Sequence, residues 1–515
     1  VSHVQVPEAF AHLVDLASDV TGAFALYATD DYFAEKENLL KPTPAEWIEG
    51  KYTDKGKWMD GWESQRKREP GHDFCIIRLG LPGCIEGLLV DTTHFKGNAP
   101  QEVSLQGIEA PDTATAQDLL HHPGWTEVLA RTTVRPDFAN VLPLLEKSRR
   151  VTHVKLHIYP DGGVARLRVY GEVTPDPQTF WRAGSVDLAA IENGGTVPVV
   201  SDQFFGPPAN LLLPGRGVNM GDGWETKRRR TPGSDWCVLE LGRRGVVERI
   251  ELDTHFFKGN APQATLVQCL DLGEPGELSE EVLQARLRSP DGWQVLVDKT
   301  PLVQHRRHQL EPGRPRIVTH LRVHIFPHGG VNRLRIHGHA VDTPAEARAL
   351  ATLHGLGEAE ARGLLLSFNG APAFADRLLG LRPFASVRQV FAAADQVWWS
   401  LDTDEWLAAF AAHPRIGEQK AAPTQTERSA HWSRGEQQGV QDAAEVVTQR
   451  LAELNAAYYD KFGFIFICFA TGRSAAQMLE ILERRIQNDR DTEVQNAATE
   501  QARITRLRIG KWLTT

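Results

Sequence analysis

The first two thirds of this 515-residue chain are written twice. MDGWESQRKREPGHDF from Met59 is answered by GDGWETKRRRTPGSDW from Gly221, and LLVDTTHFKGNAPQ by IELDTHFFKGNAPQ. THVKLHIYPDGGVARLRVYG is answered by THLRVHIFPHGGVNRLRIHG. The offset between copies is 172 residues at Val14, 162 at Glu63 and 167 at His153. Constant offsets within blocks and jumps between them mean loop insertions over one shared framework. The period is far longer than the ~20–50 residues of a solenoid unit, and each copy is long enough to bury its own core. Three domains are expected: residues 1–175 and 176–341 as the two repeats, and 343–515 as a remainder that matches neither.

The repeats read as all-β. Short alternating runs such as Cys75–Leu79, Gly87–Asp91, His153–Tyr159 and Ala165–Tyr170 are punctuated by Gly, Pro and Asn, which predicts antiparallel sandwiches. Helical periodicity is confined to Ala114–Leu120 and Glu280–Leu287. Strand alternation puts His153, Lys155, His157 and Tyr159 on one face, and His320, Arg322, His324 and Phe326 on its counterpart. Histidines two apart on a strand are compatible with a divalent metal, so His153, His157, His320 and His324 are the metal candidates. The competing reading is a solvated or inter-domain sheet face.

Charge excludes some partners. The formal net charge is −9 at pH 7, and no basic stretch suits a phosphate backbone, so no nucleic acid is expected. No apolar run approaches the ~20 residues of a membrane span, so no membrane is expected. The start, Val-Ser-His-Val, is no signal peptide and lacks an initiator Met, so a trimmed N-terminus is expected. Five cysteines, several in apolar runs and none in a C-x-x-C pair, read as buried thiols of a cytoplasmic protein.

Two doubled motifs carry polar chemistry. Phe95–Gln101 and Phe257–Gln263 are Gly-Asn turns expected to supply positive φ while projecting Lys and Asn. Asp60-Gly-Trp-Glu63 with Arg66, and Asp222-Gly-Trp-Glu225 with Arg228, combine acids, an indole and a guanidinium suited to a carboxylate. Structural ion pairing is the rival reading for each. With the doubled DT-x-x-F-K-G-N-A-P-Q, these motifs resemble allantoicase over roughly residues 1–341. The resemblance implies two jelly-roll-like β-sandwiches, homo-oligomerisation, and hydrolysis of allantoate to ureidoglycolate and urea. The motif-matching candidates for catalysis are Glu63, Lys96, Glu225 and Lys258. Those for substrate binding are Arg66, Asp91, Asn98, Arg228, Asp253 and Asn260. A divalent metal stays open as a cofactor. His94 aligns with Phe256, and His255 with Thr93, so the two copies are expected to be inequivalent.

From Thr343 the spacing turns helical: Val446, Leu451, Leu454 and Tyr458, then Met478, Leu479, Leu482 and Ile486, which predicts an all-α bundle. Its polar landmarks have plain structural readings. His413-Pro414 could end a helix; Ser433-x-x-Glu436 could be a capping box; Phe462–Cys468 could be core. Together, however, F-x-x-HPRIG, S-x-x-EQ, the Leu451–Ile467 stretch, R-x-x-N-D and I-x-x-L-R resemble OHCU decarboxylase, also called ureidoimidazoline decarboxylase. The resemblance implies cofactor-free conversion of 2-oxo-4-hydroxy-4-carboxy-5-ureidoimidazoline (OHCU) to S-allantoin. It places the catalytic roles on His413, Glu436 and Arg508. Pro414, Gln437, Phe464, Ile465 and Ile467 line the pocket, and Arg485 is the alternative arginine. An imidazole is expected to titrate near neutrality there, with Glu436 favouring its charged form. Small ureides are the expected substrates, and other ureide-pathway enzymes the expected protein partners. A rival reading makes the repeats a binding or assembly module on an active decarboxylase.

Overall fold

The computed structural model describes residues 6–10, 13–182, 184–274, 278–414 and 445–514. Two compact units emerge. One holds both repeats (1–179 and 185–341), and the other holds 342–515 together with the short inter-repeat segment 180–184.

Each repeat is organised by one 19-residue strand, Asp73–Asp91 in the first and Asp235–Asp253 in the second. Straight, such a strand would run about 60 Å, longer than a domain of this size, so it bends, and it pairs with four strands, of which two carry most of the sheet. Its first half pairs antiparallel with Arg150–Tyr159, from Ile158 opposite Asp73 to His153 opposite Arg78. Its second half pairs with Arg166–Val173, placing Arg166 opposite Asp91. The bend runs through Gly80, Pro82 and Gly83, where a Cβ on Gly83 would meet Glu172 O at 2.3 Å. The second repeat repeats the design, with Ile317–Phe326 on the first half and Arg333–Ala340 on the second. Each repeat forms an eight-stranded sheet in the same order, wrapped as a jelly-roll-like sandwich.

The histidine-bearing face is neither solvated nor open. A short helix, Ala116–Leu120, covers it in the first repeat, and Glu280–Arg288 in the second. The strand's cation reaches the end of that helix: Lys155 Nζ donates to Leu120 O at 3.2 Å, and the Arg322 guanidinium to Leu287 O and Ser289 O. A cation at a helix C-terminus satisfies carbonyls that the helix cannot. His153 and His320 are buried, each engaged through Nδ1 by the preceding threonine hydroxyl at 2.9 Å. His157 uses both nitrogens, on His72 and Gln106; His324 likewise, on Ser234 and Gln268. His157 and His324 thus have no ring nitrogen to spare for a metal, while His153 and His320 keep a buried Nε2 without a hydrogen-bond partner among the described residues, where no three His, Cys, Asp or Glu side chains gather as a metal site. Cys75, Cys237, Cys269 and Cys468 are buried, Cys84 is half-buried, and all five are free thiols.

The helical unit runs through Pro344–Gly355, Glu358–Asn369, Pro372–Leu379, Val387–Trp399, Thr403–Ala411, Glu445–Phe462, Ala475–Arg485 and Arg490–Leu513. Capping boxes start several of them, as at Thr343/Glu346, Asp402/Glu405 and Ser474/Gln477. Among the described residues, no helix is long and apolar enough to cross a membrane. The expected 176–341 boundary needs one amendment, because segment 180–184 belongs to this unit rather than to the second repeat. Trp181 is the cause. Its ring stacks on Phe391 with centroids 5.1 Å apart, its Nε1 donates to Glu346 Oε1 at 2.7 Å, and Gly510 leaves room for its edge. Reading an interrupted repeat boundary from sequence was impossible, since one tryptophan in a linker carries no period.

Two expectations follow. Burial holds His153, His157, His320 and His324 neutral, each down to about 4. The unfolded chain binds protons at these sites below the ordinary histidine value of ~6.5, so stability is present above that value and is lost as pH falls towards 4. Calorimetry between pH 7 and 4 should show the repeats melting roughly 5–10 °C earlier at the acid end; a flat profile would mean solvated rings. Trp181→Ala should destabilise the helical unit by about 3–5 kcal/mol, seen as a separate early transition; an unchanged melt would show that the linker is not part of that core.

Candidate active sites

The residues of the D-G-W-E motif have different fates. Trp62 and Trp224 are fully buried, and their Nε1 groups donate to Asp30 O and Asp202 O, both at 2.8 Å. Asp60 accepts from the buried Arg166 at 2.6 Å, and Asp222 from Arg333 at 3.2 Å. These residues build the loop. The glutamates point elsewhere. Glu63 Oε1 accepts from Asn98 Nδ2 at 2.7 Å, and Glu225 Oε1 from Asn260 Nδ2 at 2.6 Å. Each repeat thus joins its two motifs through one carboxylate–amide pair. Burial raises the Glu63 carboxyl above the usual range, with the Asn98 hydrogen bond opposing it. A half-buried carboxylate of raised pKa is suited to proton transfer.

The other motif residues lie apart from these pairs. Lys96 is exposed, with its Nζ 3.8 Å from Asp137, and Lys258, Arg66 and Arg228 are exposed too. Asp91 and Asp253 are buried and already engaged. Asp91 Oδ1 accepts from the N–H and hydroxyl of Thr93 at 2.9 and 2.5 Å. Asp253 Oδ1 accepts from the N–H and Nδ1 of His255 at 2.8 and 2.6 Å. The left-handed backbone expected at Gly-Asn falls instead at His94 (φ 73°) and Phe256 (φ 69°), each three residues ahead of the Gly and four ahead of the Asn. A second left-handed residue in a facing loop caps each of them. Asp137 Oδ1 accepts from His94 N–H at 2.8 Å, and His305 Nδ1 accepts from Phe256 N–H at 2.9 Å. Such conformations in non-glycine residues persist only where the surroundings over-determine them.

In the helical unit, helix Thr403–Ala411 ends at Ala412, so His413-Pro414 follows the helix end and still reaches the interior. Arg508 lies on helix Arg490–Leu513 and is fully buried. Burial lowers His413 to about 3, the Arg508 charge adds to this, and only the Gln501 side chain opposes it. Among the described neighbours the ring meets a cation and no anion, which favours its neutral form. Glu436 and Gln437 lie outside the described residues.

Gln501 was not singled out in the sequence. It is buried on the same helical face as Thr505 and Arg508, four and seven residues on. Its amide donates to Asn369 O at 3.2 Å, and Asn369 Nδ2 donates to Thr505 Oγ1 at 2.9 Å. His413 Nε2 and Gln501 Oε1 are both buried without a hydrogen-bond partner among the described residues, a demand that a bound substrate could meet. A fully buried glutamine inside an apolar helical stripe was the available signal.

Arg485 sorts differently from Arg508. It pairs with the buried Glu493 at 2.5 Å and donates to Ile467 O at 2.8 Å. Tyr458 and Asn488 also bond Glu493. Phe464 packs on Phe410, with rings 5.5 Å apart, and Ile467 is buried while Ile465 is half-buried. Arg485 thus holds the Phe464–Ile467 backbone in place. Gln501→Leu should lower decarboxylation at least tenfold with little change in melting temperature, since it removes the one group among the described residues that favours a charged His413; full activity in that variant would dismiss the contact.

Two sandwich repeats with matched carboxylate–amide pairs, joined to a helical unit that buries an imidazole beside a guanidinium, define a fusion of two enzymes. Residues 14–174 and 186–341 match the allantoicase repeat, and 356–510 match OHCU decarboxylase. A probable allantoicase of Burkholderia mallei is 43% identical over 343 residues, covering 65% of this chain and 97% of that protein. The allantoicase of Dictyostelium discoideum is 42% identical over 325 residues, covering 62% and 86%. The solved allantoicase of Saccharomyces cerevisiae is 34% identical with a TM-score of 0.54, covering 64% of this chain and 93% of that one. The chain belongs to the allantoicase family and carries an OHCU decarboxylase domain at its C-terminal end, which makes it a bifunctional enzyme of purine catabolism.

Proposed function

We propose that the repeats hydrolyse allantoate to ureidoglycolate and urea, and that the helical unit decarboxylates OHCU to S-allantoin. The observation that carries the second activity is the half-buried His413, its Nε2 enclosed, under the influence of the buried Arg508 and Gln501. A guanidinium matches a substrate carboxylate. A substrate carboxylate at Arg508 offsets the second of the two effects, after burial, that disfavour protonated His413, and so eases the ring's part in carrying a proton to product. Carbon dioxide leaves, the ring of the substrate holds the electron pair as an enolate, and a proton arrives on one face. No cofactor is assigned to this step, because the substrate is its own electron sink.

The first activity is supported by the two Glu–Asn pairs. No step is assigned to a metal there, since His157 and His324 are engaged through both ring nitrogens and a metal at His153 or His320 would have one imidazole nitrogen of each pair alone. The two reactions are not consecutive, because S-allantoin must be opened to allantoate by a separate hydrolase. Co-expression or a shared complex with other ureide-pathway enzymes fits the fusion better than direct channelling. Five free thiols, four of them buried, support a cytoplasmic location. Homo-oligomerisation is supported by exposed aromatic pairs that recur in both repeats, Tyr32–Phe33 and Phe204–Phe205.

His413→Ala should abolish enzymatic OHCU turnover and leave urea release from allantoate intact. Following S-allantoin by circular dichroism and urea by a coupled assay checks both; wild-type decay of OHCU to pure S-allantoin in this variant would refute the assignment.

A further inference from the structure

The geometry points to a working hydrolytic site in the second repeat only, with His255 as its proton-transfer residue and His305 as a hydrogen-bond donor to the substrate. The inference rests on the reading that the repeats hydrolyse allantoate.

Hydrogen bonds set the two tautomers. A carboxylate only accepts, so His255 Nδ1, 2.6 Å from Asp253 Oδ1, carries a proton, and Nε2 is left with a free lone pair. Asp253 is buried, whereas the His255 side chain is about one third exposed, at 35%. A buried carboxylate orienting an accessible imidazole is the arrangement of a general base. His305 has the opposite polarity. Its Nδ1 accepts from Phe256 N–H at 2.9 Å, so in the neutral ring Nε2 carries the proton and donates. The ring is exposed, and its centroid lies 4.9 Å from that of His255. An acceptor and a donor thus stand side by side on rings fixed by their own loops. His255 sits on the turn that also carries Asn260, the partner of Glu225, and His305 sits on the loop facing that turn.

The first repeat keeps the scaffold and lacks the chemistry. Asp91 holds Thr93 where Asp253 holds His255, and Asp137 caps His94 where His305 caps Phe256. The backbone bonds are the same: Asp137 N–H donates to Phe95 O at 3.1 Å, and His305 N–H to Phe257 O at 3.2 Å. Neither Thr93 nor Asp137 offers an imidazole, and the one imidazole on this turn of the first repeat, His94, is turned to Ala45 O, 3.4 Å from its Nε2, and packs on Trp47 without a carboxylate on its ring among the described residues, so the copies share a fold and differ in function.

The step balances without a further reactant than water. His255 Nε2 takes the N–H proton of the retained ureido group as its nitrogen forms a double bond to the central carbon. The opposite carbon–nitrogen bond breaks, and His255 returns the proton to the departing nitrogen, which leaves as urea. Water then adds across the new C=N bond, hydroxyl to carbon and proton to nitrogen, giving ureidoglycolate. His305 Nε2–H remains bonded to a ureido carbonyl or the carboxylate throughout and does not give up its proton.

The first repeat supplies the test substitutions, because its own residues fit the same scaffold. His255→Thr and His305→Asp are made in the full chain, with His255→Gln as a second variant and Thr93→Val as the control; kcat and KM for urea release are measured with melting temperatures. His255→Thr and His255→Gln should each lower kcat about 100-fold or more at nearly unchanged KM. His305→Asp should raise KM about tenfold, and Thr93→Val should keep kcat within about twofold. Wild-type kcat in either folded His255 variant, an unchanged KM in His305→Asp, or an equal loss in Thr93→Val would overturn the proposal. Absence of urea release by the wild-type protein would instead overturn the allantoicase reading, and the proposal with it.

Discussion

A buried guanidinium holds each hydrolase loop in place. Arg166 is fully buried and donates to Asp60, Thr43, Pro44 and Ala165, tying the D-G-W-E loop and the segment before it to the strand beginning at that arginine. Arg333 does the same with Asp222 and Asn332. Such a charge is tolerable only when nearly every donor is met; removing one partner from a buried pair costs about 3–5 kcal/mol. Trp62 and Trp224 then fill the space beneath, and Glu63 and Glu225, one residue on, can only point at the Lys-Gly-Asn turn. The position of the acid follows from where the cation is buried.

The helical unit uses the same device at a different scale. Glu493 is fully buried and receives Arg485, Tyr458 and Asn488, while Arg485 also reaches the Ile467 carbonyl. The irregular Phe464–Ile467 segment is thereby held against the helices without secondary structure of its own. Arg508, on the same long helix as Glu493, is buried where its charge acts on His413. One arginine thus holds a carboxylate and a backbone segment, while the charge of the other bears on an imidazole.

Internal duplication conserves backbone more strictly than chemistry. Both copies put a non-glycine residue in the left-handed region and cap it from a facing loop, yet the cap is a carboxylate in one and an imidazole in the other. A duplicated scaffold can lose a catalytic group in one copy with little structural cost, since Asp and His both offer an acceptor in that position.

Repetition, strand alternation and the switch to helical spacing determined the domain order, the fold classes and the motif residues, because these are written as periods and long patterns along the chain. His413, Arg508, Glu63 and Asn98 were legible in the same way, as members of motifs. Tertiary structure alone decided which of them meet. It showed Asp91 and Asp253 to be already engaged, and moved the strained backbone from Gly97 and Gly259 to His94 and Phe256. It also covered the histidine face with a helix, and drew Trp181 into a core whose helices begin about 160 residues later. Gln501 and His305 had no motif to announce them. Their roles depend on a hydrogen-bond partner over 45 residues away in the chain, and one-dimensional periodicity holds no record of such pairings.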